Sequence, residues 1–323
     1  MRSESIIKPS SLKMGIPNLE AFSNTLQNLA ESDNDIIVVT SDSRGSGKLV
    51  PFGEKYPEQI VEVGIAEQNL VGISAGLASA GKKVFAVSPA CFLTARSFEQ
   101  VKNDVAYSDN PVNLIGISSG VSYGALGTTH HSLHDFAALR AVNNITIICP
   151  ADNYETEQAI MFAAASDFPV YIRFGKKPMP FVSESKDFEV GKGRLVREGK
   201  DAVVIATGET VFPALEAAQY LEDNHNIQIG VVSMHTVKPL DGGLLKELAK
   251  SYPVMLTVEE HMVNGGLGEA CAAFLIQSGF SPKFKIMGIP DEYTITGSQV
   301  EIFEHYGISG RGISKEILEL ISL

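Results

Sequence analysis

Residues 61–81 read VEVGIAEQNLVGISAGLASAG and hold a strand, a turn and a helix in immediate succession. The apolar run Ile60, Val61 and Val63 stops at Gly64. Ala66, Leu70, Ile73 and Leu77 then recur at helical spacing until Gly81, a residue type suited to closing a helix. Glu67 stands at the turn, near the C-terminal edge of the strand, where open α/β sheets keep their ligand crevices. The helix dipole by itself also favours an acid in a first turn, so position alone does not make Glu67 functional.

The same alternation extends outward in both directions. Short apolar runs at 36–39, 60–63, 84–87, 112–117, 145–148 and 170–173 are expected strands. Helical patterns fall near 18–31, 66–80, 93–108, 132–142 and 153–166. Residues 175–200 turn polar, with Pro178, Pro180, two serines and many charges, as linkers do. A second series follows, with strands at 203–206, 227–233, 254–258 and 284–289. Its helices fall near 212–223, 241–250, 267–279 and 311–322. The expected fold class is α/β, as two successive doubly wound domains with parallel or mostly parallel sheets. The expected organisation is a flexible N-terminal segment 1–17, a first domain 18–178, a linker 179–200 and a second domain 201–323.

Composition limits the function classes. A chain of 323 residues, 44% hydrophobic and 20% charged, is that of an ordinary soluble globular protein. A formal charge of −12 argues against a nucleic-acid backbone as partner, which needs clustered Lys and Arg. Cys91, Cys149 and Cys271 are far apart and show no C-x-x-C spacing, which fits reduced thiols in a cytoplasmic protein. No stretch approaches the roughly 20 apolar residues of a membrane span. The N-terminus lacks the continuous apolar core of a signal peptide.

Two segments downstream of Glu67 carry further chemistry: CFLTARSFEQV at 91–101 and GALGTTHHSLHDFAALR at 124–140. Together with GIAEQ at 64–68, and in the same order, they resemble the pyrimidine-binding domain of the transketolase family of thiamine-diphosphate enzymes. The resemblance runs from about Asp35 to the C-terminus and implies a transketolase C-terminal domain after the pyrimidine-binding one. In that family the glutamate of this turn hydrogen-bonds N1′ of the cofactor's aminopyrimidine and lets the ring act as a base. Glu67 is the matching residue. Family aromatics on the next helix give the ring a flat wall. Phe92 and Phe98 match two of them, while Ala95 stands at the position between. Six residues apart is not one clean helix face, so core packing is the competing reading for both phenylalanines.

The resemblance assigns further roles residue by residue. Asp42 matches an acid near the cofactor, although an Asp at a strand end is also an ordinary turn residue. Ser46 falls at the spacing of a serine that touches a substrate phosphate. Thr129-His130 matches a Thr-His pair whose imidazole reaches the substrate oxygen and the reacting carbon. The cluster TTHHSLH also invites a metal reading, but no acidic or cysteine partner has matching spacing. No metal ligand is therefore expected in this chain. Arg173 matches a phosphate clamp, a role suited to a guanidinium, though it could equally pair a surface acid.

Besides Ala95, three positions depart from the family pattern. His131 replaces the usual Gln. Leu126 stands where the family carries an Asp that reads an acceptor hydroxyl, and Ser118 where it often carries a phosphate-binding His. A changed substrate shell is expected around a kept catalytic core. No Gly-Asp-Gly occurs in the chain, so the resemblance implies a separate N-terminal subunit. That partner would hold the diphosphate through Mg (or Ca) in an assembly of α2β2 type. The expectation is the C-terminal subunit of a split transketolase that moves a two-carbon ketol unit from an anionic ketose to an aldehyde. Specialised enzymes for 6-deoxy-6-sulfofructose or apulose 4-phosphate fit the departures. The E1 β-type subunit of a 2-oxoacid dehydrogenase, or a non-catalytic relative, are the alternatives.

Overall fold

A computed structural model describes residues 9–322. Its strands are β1 (Met14–Pro17), β2 (Ile36–Thr40), β3 (Ile60–Glu62), β4 (Lys83–Pro89), β5 (Val112–Ile117), β6 (Thr146–Ile148) and β7 (Val170–Phe174). They continue as β8 (Pro178–Pro180), β9 (Arg194–Arg197), β10 (Ala202–Ala206), β11 (Ile229–Ser233), β12 (Thr236–Lys238), β13 (Val254–Met262) and β14 (Lys283–Ile289). One sheet has the order β12-β6-β7-β5-β4-β2-β3 and a second the order β14-β13-β10-β11-β9. Strands β2 to β7 of the first sheet pair in parallel, as do β10, β11, β13 and β14 of the second. The fold is the expected pair of α/β units.

Burial explains the composition of the central strands. Every residue of β2, β5 and β7 is buried, because helices cover both faces of a parallel sheet. The helix Glu67–Ser79 inserts Leu70, Val71, Ala75 and Ala78 into the same core as Val84 and Ala86 of β4. Gly81, at φ +87°, makes the left-handed turn that ends it.

Pairings between distant segments go beyond the sequence reading. β12, from the second half of the chain, pairs antiparallel with β6 and so closes the edge of the first sheet. β9 pairs antiparallel with β11 and lies inside the stretch 179–200 expected to link the domains. β1 pairs antiparallel with β8, which gives the residues around Met14 a fixed place. The earlier part of the expected flexible segment, residues 1–8, lies outside the described residues.

The helix expected at 93–108 is broken. It runs Ala90–Ala95, resumes at Phe98–Gln100 and continues as a π-helical stretch, Val101–Tyr107. Thr94 Oγ1 and Ser97 Oγ donate to the carbonyls of Ala90 and Leu93 four residues back, a pattern that bends helices. The break sends Phe92 and Phe98 in different directions. Likewise the helix expected at 132–142 is only Asp135–Arg140, which leaves 127–134 as a loop.

Candidate active site

Four chain segments leave the carboxyl ends of β3, β4, β5 and β7 on one edge of the first sheet, where doubly wound sheets bind ligands. They carry, in turn, Glu67, Phe92 with Arg96, Tyr123 with His130, and Lys176. A cavity of about 920 Å3 opens beside them. Phe92, Ala95 and Arg96 form one wall, and Thr128, Thr129, His131 and His134 another. Met262 and residues 291–294 of the second unit close it.

Glu67 is 2% exposed, and its Oε2 accepts a 2.6 Å hydrogen bond from Arg96 Nη1. The same guanidinium lies 4.7 Å from the centre of the Phe92 ring. Phe92 meets the imidazole of His130 edge-on at 5.4 Å, and Tyr123 meets it edge-on at 5.5 Å from another side. Thr129 Oγ1 fixes the ring through Nδ1 at 2.9 Å. Lys176 Nζ sits 3.8 Å from the centre of the Tyr123 ring. Partial burial of that ammonium pushes its pKa down. The residues thus form one continuous run from a buried carboxylate to a cation.

Several expected residues lie elsewhere. Phe98 packs with Ile73 and Leu77 against the core under the helix Glu67–Ser79, so of the two phenylalanines only Phe92 faces the cavity. Asp42 and Ser46 are exposed and outside the cavity lining. The Asp42 backbone, at φ +52°, donates to Glu62 Oε1, and Ser46 Oγ donates to the Ser43 carbonyl. Leu126 is 55% exposed on the turn Gly124–Leu126 and does not line the cavity. Ser118 is fully buried at the end of β5, at φ +54°.

Arg173, expected as a phosphate clamp, lies enclosed between the two units. Arg173 is 1% exposed, and Nη1 donates to both oxygens of Asp135, at 2.8 and 3.0 Å. Nη2 donates to the Glu260 carbonyl, and the guanidinium lies 4.0 Å from the centre of the Phe136 ring. Tyr171 adds a 2.7 Å hydrogen bond to Asp135. Burial would raise the Asp135 pKa, but the Arg173 and His261 charges and the Tyr171 hydroxyl hold it below the ordinary carboxylate range. A guanidinium so enclosed ties the two units together, with its Nε left without a partner.

The second unit answers with an acidic cluster, Glu259 and Glu260 of β13 with Glu209 beside them. Glu259 accepts from the backbone N–H groups of Leu267 and Gly268 and so caps the helix Leu267–Gln277. Gln299 Nε2 bridges Glu209 and Glu260 at 2.9 and 2.8 Å. Burial, then the neighbouring Glu209 charge, raises Glu260 to about 8. Burial lowers His261 to about 4, and its ring stacks 5.1 Å from Phe136. His131 also serves the junction: Nε2–H donates to the Gly124 carbonyl and Nδ1 pairs with Thr294 Oγ1. His134 is exposed at the start of the helix Asp135–Arg140 and lines the cavity.

Arg96, Tyr123 and Lys176 were not singled out from the sequence. Arg96 lies inside a quoted motif, yet its value depends on a contact 29 residues away. No group of three or more His, Cys, Asp or Glu among the described residues could hold a metal ion. All three cysteines are free and buried, with Cys91 pushed up to about 11 by burial. No helix among the described residues is long and apolar enough to cross a membrane.

Comparison with known proteins adds the lineage. A family described as "Transketolase, pyrimidine binding domain" matches residues 15–180, and "Transketolase, C-terminal domain" matches 191–313. The chain is 45% identical to a subunit of the apulose-4-phosphate transketolase of Phocaeicola vulgatus, over 94% of this chain and 96% of that one. It is 36% identical to the corresponding subunit from Actinobacillus succinogenes, over 88% and 92%. A solved split-gene transketolase, described as an inactive β4 tetramer, superposes with a TM-score of 0.85 at 34% identity, covering 96% of this chain and 99% of that one. Transketolase of Pichia stipitis in complex with sedoheptulose 7-phosphate shares the fold, at a TM-score of 0.81 and 20% identity. The match covers 99% of this chain and 48% of that one.

Proposed function

The chain belongs to the transketolase family, and from that premise we propose that it is the C-terminal subunit of a split, thiamine-diphosphate-dependent transketolase. The reaction is transfer of a two-carbon ketol unit from a ketose phosphate to an aldehyde. The observation that carries this reading is the run Glu67, Arg96, Phe92 and His130, assembled from the segments that follow β3, β4 and β5 at one sheet edge.

The residues present fit the aminopyrimidine half of the cofactor. Glu67 is a buried acceptor whose single side-chain partner among the described residues is a half-exposed arginine. Phe92 offers a flat apolar face beside it. Bound thiamine diphosphate supplies a nucleophilic carbon and an electron sink. Glu67 would hold the ring's N1′ and keep proton exchange at that atom favourable. Phe92 would orient the ring. His130, steadied by Thr129, would move a proton at the substrate oxygen. Lys176 replaces Arg173 as the cation for an anionic sugar tail, because Arg173 is already committed to Asp135. A separate N-terminal subunit would supply the diphosphate and Mg2+ half, in a cytoplasmic hetero-oligomer.

Apulose 4-phosphate is the leading donor, since two relatives that match most of the chain carry that activity in their names. The test is co-expression with the N-terminal subunit and a donor panel of apulose 4-phosphate, xylulose 5-phosphate, fructose 6-phosphate and 6-deoxy-6-sulfofructose. Ketol transfer that requires both subunits and favours apulose 4-phosphate is expected. Turnover by this chain alone would defeat the split reading, and 2-oxoacid decarboxylation would point instead to an E1 β-type subunit.

A further inference from the structure

Arg96 makes two contacts at once. Its Nη1 donates to Glu67, and its planar guanidinium lies against Phe92. The Glu67 side chain is 3% exposed, whereas that of Arg96 is 46% exposed and lines the cavity. A planar N–H donor therefore reaches the buried carboxylate from the cavity side while resting on an aromatic wall. A heteroaromatic ring with an N–H aimed at Glu67 and one face on Phe92 would use the same oxygen and the same wall. Two planar groups cannot cover both at once.

We propose that Arg96 is a placeholder for the aminopyrimidine: in the free chain it takes the ring's position on Glu67 and Phe92, and ligand binding requires it to swing outward. The inference rests on the reading that this pair of residues receives the cofactor ring. Its physical logic is the cost of an unpaired buried charge. Without Arg96 or a ligand, Glu67 would be enclosed with no partner, a strongly unfavourable state, and Arg96 removes that state during synthesis and assembly. The arginine can serve so because it sits just past the helix Ala90–Ala95, where a half-exposed side chain has room to turn away. A placeholder also weakens apparent affinity, by the fraction of time that the site stands open. If Arg96 is off Glu67 about a tenth of the time, the ligand binds about tenfold more weakly than to an always-open site.

The experiment is calorimetric titration of the assembled two-subunit complex with thiamine diphosphate and Mg2+, comparing wild type with Arg96→Ala and Arg96→Lys. Arg96→Ala should bind about tenfold more tightly, since both the competitor and the ion-paired free state are gone. Arg96→Lys keeps a cation for Glu67 but loses the planar face, and should fall between. Equal or weaker binding by Arg96→Ala would overturn the proposal and make Arg96 part of the ligand's own shell. Should the alanine variant not fold, a crystal structure of the loaded wild-type complex decides, with Arg96 expected off Glu67; a retained ion pair beside the bound ring overturns the idea. A wild-type complex that binds no cofactor would instead sink the functional reading on which the placeholder rests.

Discussion

Two sets of charged side chains differ in how completely they are enclosed. At the junction of the two sheets, Asp135 accepts from Arg173 and Tyr171, and Arg173 stacks on Phe136 while donating to the Glu260 carbonyl. Beside the cavity, behind its Phe92, Arg96 and Thr129 lining, Glu67 has one side-chain partner, His130 is hydrogen-bonded through its ring to its neighbour Thr129, and Lys176 rests against a ring. Both sets look alike in the sequence, as isolated Arg, Glu, Asp and His at strand ends. The first set is enclosed by fixed partners, and the second keeps open valences beside a cavity.

Four substitutions probe this difference. Glu67→Gln should leave the fold intact and lower turnover of the assembled enzyme by about 10²–10⁴-fold, as loss of a general acid–base partner does. Slowed exchange of the cofactor's C2 proton, followed by NMR, checks it; exchange at the wild-type rate would make Glu67 a helix-turn acid only. Asp135→Asn tests the other side of the contrast. It leaves Arg173 without its charge partner and should cost about 3–5 kcal/mol in urea unfolding of the chain, with KM little changed in the protein that folds. A sharp rise in KM at unaltered stability would return Arg173 to the substrate.

Lys176→Ala should raise KM for a phosphorylated donor about tenfold at nearly constant kcat, the effect of losing a hydrogen bond to a charged group. Leu126→Asp is the mildest. Because Leu126 is exposed and outside the cavity, the preference among acceptors with and without a 2-hydroxyl should not move. A shift toward hydroxylated acceptors would bring Leu126 into the site within the assembled complex.

The enclosed cluster also has a pH signature. Folding raises Glu260 to about 8 and Glu259 to about 7, so between roughly pH 4.5 and 8 the folded chain binds more protons than the unfolded one. Stability from these two groups therefore falls as pH rises through that window. His261, lowered to about 4, acts in the opposite sense and loses stability as pH falls below about 6.5. Glu260→Gln keeps an oxygen for Val121 and Gln299 and should gain stability at pH 8 relative to pH 6. Parallel melting curves for variant and wild type at the two pH values would contradict this assignment.

The strands and helices around Glu67 were legible because each depends on local periodicity: 61–81 encodes its strand, its turn and its helix within 21 residues. The alternation of apolar runs and amphipathic patterns likewise fixed the α/β class. Motif order pointed to Glu67, Phe92 and His130, which the structure brings to one side of the molecule. Phe98 lies apart from Phe92 because the helix breaks at Arg96 and Ser97, where side-chain hydroxyls compete for backbone carbonyls.

What the sequence determined by itself, then, is what neighbours along the chain decide: the two α/β units, the carboxylate at a strand end and the Thr-His loop. Only the tertiary structure decided which charges are used up. Arg173 is committed because Asp135, 38 residues away, and Glu260, 87 residues away, enclose it. Lys176, three residues further on, is left with an aromatic ring and access to solvent. The physical reason is that the energy of a charge depends on its partners and its access to water, and both are set by segments distant in sequence.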